Sequence, residues 1–111
     1  MIVQLIKDKI PEIAATQDKI INYAELKSND LYLSYLKDTL ANSVNSFFKN
    51  GTIEDVIDIQ IVLNAILKAN QISQETLKEI TEKYIATYGE YENRYIAFLP
   101  KEPRPEQSKS E

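Results

Sequence analysis

Residues 30–70 read DLYLSYLKDTLANSVNSFFKNGTIEDVIDIQIVLNAILKAN, and the apolar spacing within them decides the fold. Leu33, Leu36, Leu40, Val44 and Phe47 recur at intervals of three and four, the period of one helical face. Tyr32, Tyr35 and Phe48 widen that stripe, which predicts a long helix from about Asp30 to Lys49. Asn50-Gly51 stops it, because glycine takes the left-handed conformation of a helix end without a Cβ clash. Thr52 then caps a second helix running from Ile53 to about Asn70. Val56, Ile57, Ile59, Ile61, Val62, Leu63, Ala65, Ile66 and Leu67 make this helix apolar nearly all round. Such a helix belongs in the centre of a bundle or in a subunit interface, so a homo-oligomer, dimer or tetramer, is expected.

Shorter elements flank this pair. Asp8 is a candidate cap for a helix over about Pro11–Asp18, with proline in the first turn where its missing N–H costs little. Ile20–Leu26 reads as extended. Ser73 opens a last helix, Glu75 favours its N-terminal dipole, and Gly89 ends it. Leu77, Ile80, Tyr84, Ile85 and Tyr88 are its expected buried stripe, and Tyr84, Tyr88, Tyr91 and Tyr95 can alternatively form a flat contact surface. Tyr91–Leu99 alternates loosely and reads as a short closing strand or an extended arm. From Pro100 onward the chain turns polar and proline-bearing, as a disordered tail does. The expectation is an all-α bundle of four main helices, one domain over residues 1–99.

Composition narrows the chemistry. The 111 residues hold 13 Lys+Arg, 17 Asp+Glu, no His and no Cys, for a net charge of −4. Without cysteine there are no disulfides, thiolate nucleophiles or Cys-type zinc sites; without histidine, Ser-His-Asp and Cys-His catalysis fall away. Catalysis is left to carboxylates, lysines, tyrosines, hydroxyls or an oxygen-ligated ion such as Mg²⁺. The acidic balance argues against general nucleic-acid binding, which needs a basic face. The N-terminal apolar run is broken by Lys7 and Asp8, unlike a signal peptide, and no stretch approaches the roughly 20 apolar residues of a membrane span. These features fit a cytoplasmic protein.

One resemblance is specific. Leu5-Ile6-Lys7-Asp8-Lys9-Ile10-Pro11-Glu12-Ile13 resembles the L-V-R-D-K-I-P-E-I signature of phosphoribosyl-ATP pyrophosphohydrolase-like proteins, in the all-α, MazG-like nucleoside triphosphate pyrophosphatase superfamily. Tyr32 to Leu40 is similar to the family's Y-L-x-x-L-x-x-K-L, and Ile53 to Ile59 to its x-E-E-L-A-D-V. Gly89, Tyr91 and Arg94 resemble its closing R-G-G-F-x-x-R. The resemblance covers about residues 3–98. It implies a MazG-like helical bundle whose first catalytic helix carries E-E-x-x-E and whose second carries E-x-x-D. These carboxylates together hold Mg²⁺ on a triphosphate that is cleaved to a nucleotide monophosphate and pyrophosphate. Residues three or four apart share a helical face, so two such helices can aim their oxygens at one ion.

The chain departs from that pattern in its first half. Asn42, Ser43 and Ser46 stand where the resemblance places the three glutamates, while the second half survives as Asp55 and Asp58. A hard dication is held mainly by carboxylate charge, so three missing charges are severe. Asp38, Asn42, Asn45, Ser46, Asp55 and Asp58 are the candidates for a residual polar pocket, with Asp55 and Asp58 its only candidate metal ligands. Lys7, Lys9 and Arg94 are the phosphate-side candidates. Each has a structural alternative. Asp55 can complete a capping box with Thr52. Asp58, between Ile57 and Ile59, needs a partner if buried, or can join a solvated stripe with Glu54. The row Asp38, Asn42, Asn45 can be an exposed face, and the lysines surface residues. The expectation is a catalytically degenerate relative of nucleotide pyrophosphohydrolases, without a cofactor, that binds a protein partner or a nucleotide. The alternative is an active, divergent Mg²⁺-dependent pyrophosphohydrolase.

Overall fold

The computed structural model describes residues 2–100. Among them are four helices and no strand: α1 (Ile10–Thr16), α2 (Asn29–Asn50), α3 (Ile53–Ala69) and α4 (Gln74–Tyr88). The expected polar tail lies, after Pro100, outside the described residues. No helix among them is long and apolar enough to cross a membrane. The chain divides into two units, Met1–Leu77 and Lys78–Glu111, and the division falls inside α4.

The first unit is organised by a helical hairpin in which α2 packs along α3. Each end of its connection has a local cause. Ser28 caps α2 by accepting from the Leu31 amide at 3.2 Å. Gly51 ends α2 at φ 64° and donates its N–H to the Phe47 carbonyl at 2.8 Å, so the left-handed residue closes the last turn. Thr52 follows at once as the cap of α3, in a full capping box with Asp55. The two helices are thus stopped and restarted within two residues, which forces them back along each other.

Leu36 of α2 is only 2% exposed and Val62 of α3 is buried; Leu33, Leu40 and Val44 follow the same stripe half-buried. Full burial of a leucine or valine side chain stabilises by about 1.5–3 kcal/mol, so Leu36 and Val62 anchor the hairpin. The stripe opens at its C-terminal end, where Phe47 and Phe48 are exposed and only tilt against each other at 6.2 Å. On α3 the apolar girdle splits. Val56, Ile59, Ile66 and Leu67 are half-buried, whereas Ile53, Ile57, Ile61 and Leu63 are exposed.

Helix α1 begins one residue before Pro11, which sits in the first turn. Its N-cap is Lys9, without a side-chain hydrogen bond, so Asp8 does not cap it. It ends at Thr16 because Asp18 turns left-handed (φ 57°) and Lys19 closes back onto the Ala14 carbonyl at 2.9 Å. Asp18, expected inside the helix, is instead the residue that terminates it. Aspartate tolerates that conformation better than most residues.

At the start of α4 the Ser73 hydroxyl accepts from the Thr76 amide at 3.1 Å, and at its end the Gly89 amide donates to the Ile85 carbonyl at 2.7 Å. Its expected buried stripe is corrected in part: Leu77 and Ile85 are half-buried, whereas Ile80, Tyr84 and Tyr88 are exposed. Tyr84 and Tyr88, one turn apart, lean on each other with ring centroids 4.9 Å apart, which shields part of each ring. Tyr91–Leu99 has no strand pairing and is exposed throughout, so of the two readings it is the arm.

Candidate functional site

The hairpin brings one pair of the expected pocket residues into direct contact. Ser46 stands on the last turn but one of α2 and Asp55 in the first turn of α3, and the Gly51-Thr52 connection folds them together. The Ser46 hydroxyl donates to Asp55 Oδ1 at 2.7 Å. Asp55 Oδ2 accepts from the Thr52 hydroxyl at 2.8 Å and the Thr52 amide at 3.2 Å, while the Asp55 amide donates back to Thr52 Oγ1 at 3.2 Å. Asp55 is 8% exposed, and both of its carboxylate oxygens are occupied from within the hairpin. The Ser46 hydrogen bond, then that from the Thr52 hydroxyl, lowers its pKa; burial opposes them and the Thr52 amide adds to them. Asp55 is therefore a held anion. The capping box expected for this residue is present, and Ser46 adds a third donor to it from across the hairpin.

One turn further along α3, Asp58 meets a different partner. Lys7 Nζ lies 2.6 Å from Asp58 Oδ1, with the Lys7 side chain largely in solvent and that of Asp58 partly so. This salt bridge ties the segment before α1 to α3. It also joins a residue expected on the phosphate side to one expected as a metal ligand, so each neutralises the other.

The remaining candidates of the first unit enter none of these contacts. Asp38 and Asn42 are exposed on α2 and line an open groove of about 310 Å³ against residues 2–5. Asn45 is exposed on α2, and Ser43 is half-buried. Lys9 is exposed at the start of α1. Arg94 belongs to the second unit, where it is exposed and left-handed (φ 59°), with its amide donating to the Tyr91 carbonyl at 3.2 Å.

Among the described residues no three Asp or Glu side chains gather in a geometry that can hold a metal ion. The donor set also fails a Mg²⁺ test on its own chemistry. A hard dication needs several free, preferably anionic oxygens, and here Asp55 spends both oxygens on hydroxyl and amide donors while Asp58 faces an ammonium. The residues present do not fit such an ion.

Two features were not read from the sequence. The first is the Lys7–Asp58 pair, whose separation of 51 residues leaves no local signal. The second is an open groove of about 540 Å³ along α3, lined by Ile61, Asn64, Ala65 and Lys68 together with Tyr32 and Asp8. Its signal was present in the helical spacing: Ile61, Ala65 and Lys68 follow one another at four and three. No family model, curated protein or solved structure matches this chain.

Proposed function

We propose that this chain is a catalytically degenerate relative of the nucleotide pyrophosphohydrolases, keeping a MazG-like helical scaffold and acting by binding, without hydrolysis, as a homo-oligomer. The observation that carries the reading is the 2.7 Å contact between Ser46 and Asp55. In the resembling family the two acidic half-motifs face each other across a helix pair. Here the residues in those two places also face each other, but a hydroxyl stands on one side and a held carboxylate on the other. The Lys7–Asp58 salt bridge supports the same reading, because it supplies from within the chain the positive charge that a metal ion supplies in an active enzyme. The apolar surplus on α3 supports self-association. A surface that no longer does chemistry is free to serve as a protein or nucleotide contact.

The test is direct: incubate the pure protein with a panel of nucleoside triphosphates and Mg²⁺ or Mn²⁺ and measure pyrophosphate release. The expected result is release no faster than without protein. Turnover that disappears in Asp58→Ala would establish the divergent enzyme instead.

A further inference from the structure

Helix α3 carries two faces. One, marked by Asp55 and Val62, is buried in the hairpin. The other runs through Ile57 and Ile61, each close to half exposed, and continues through Ala65, which with Ile61 lines the 540 Å³ groove. Glu54 and Lys68 stand seven residues to either side of Ile61, two turns away on the same face, and both are exposed. The ion pairs among the described residues are Lys7–Asp58 and Lys27–Glu25, so neither Glu54 nor Lys68 enters one.

We infer that a second copy of this chain docks on this face, with the two α3 helices antiparallel and the twofold axis passing at Ile61. The inference rests on the reading of the chain as a homo-oligomer and gives that assembly its register. A twofold contact is self-complementary, so every pairing occurs twice. With Ile61 on the axis, Glu54 of each copy meets Lys68 of the other. Charge complementarity of this kind at an interface rim fixes register and excludes misaligned pairings. Ile57 of each copy comes opposite Ala65 of the other, so a large side chain faces a small one. A parallel pairing loses both matches, because Glu54 then meets Glu54 and Lys68 meets Lys68.

The chain has no cysteine, so an introduced thiol has no competitor. Under mild oxidation Ile61→Cys is expected to give a disulfide-linked dimer, since the two copies of residue 61 face each other across the axis. Ile57→Cys alone is expected not to cross-link: at 1.5 Å of rise per residue its two copies lie about 12 Å apart along the helices, beyond disulfide reach. Ile57→Cys combined with Ala65→Cys is expected to link again. Lys68→Glu is expected to weaken dimerisation on the order of tenfold in light scattering, and adding Glu54→Lys to restore it, with the circular dichroism of all variants unchanged. A wild-type chain that is monomeric at tens of micromolar overturns both this interface and the self-association reading. A wild-type dimer in which Ile57→Cys links as readily as Ile61→Cys, or in which charge reversal has no effect, overturns the interface alone.

Discussion

Asp55 and Asp58 lie three residues apart on one helix, the spacing at which an acidic pair can serve a single ion, yet they belong to different worlds. Asp55 is buried at the turn of the hairpin and holds the turn together through Ser46 and Thr52. Asp58 sits a turn away in partial solvent and holds only Lys7. The difference teaches that spacing places carboxylates on a shared face but does not decide their work. What decides it is which donors the surrounding chain brings: the Ser46 hydroxyl with the Thr52 hydroxyl and amide in one case, a flexible ammonium in the other.

The sharpest way to break this contrast is Ser46→Glu, which replaces the hydroxyl donor on Asp55 by a second carboxylate. Repulsion at a buried position and the lost hydrogen bond together are expected to lower the melting temperature by roughly 8 °C, the largest effect of this set. Thr52→Ala removes the cap while leaving Ser46 in place, and is expected to cost about 1 kcal/mol in chemical denaturation. At the Asp58 end, Lys7→Ala is expected to change stability by no more than about 0.5 kcal/mol, because an ion pair this exposed is screened by water and salt. A loss comparable to that of Thr52→Ala would show that the two regions are not as different as their burial implies.

A pH titration sharpens the same contrast. The Asp55 pKa is lowered in the folded chain, so the unfolded chain binds its proton more readily. Its contribution to stability is therefore complete above the unfolded carboxylate value of about 3.9 and is lost as pH falls through the folded value. Asp55→Asn is expected to melt below wild type at pH 7, with the gap closing below about pH 4. Melting curves across that range check it, and a gap independent of pH would assign the loss to shape rather than charge.

Much of the hairpin was legible because its signals are local. The stripe from Leu33 to Val44, the Gly51 stop and the Thr52 cap all act within a few residues, and each appears in the structure where the sequence places it. Helix α4 was legible in its ends but not in its burial: an amphipathic pattern says which side is apolar, not whether anything covers it. The candidate site was legible as a set of residues but not as a network. Ser46 and Asp55 are both candidates on pattern alone, yet their contact depends on how tightly the hairpin closes. The Lys7–Asp58 pair has no signal in the linear pattern, which does not bring together residues 51 apart.

Asp55 and Asp58 are both engaged within the fold, by Ser46 and Thr52 in one case and by Lys7 in the other. Thermal melting of the wild-type chain against increasing Mg²⁺ or Mn²⁺ tests this engagement most directly, since any ion bound to the folded state alone raises the melting temperature. The expected change is less than about 1 °C up to millimolar metal. A saturable rise of several degrees, abolished by Asp58→Ala, would contradict it.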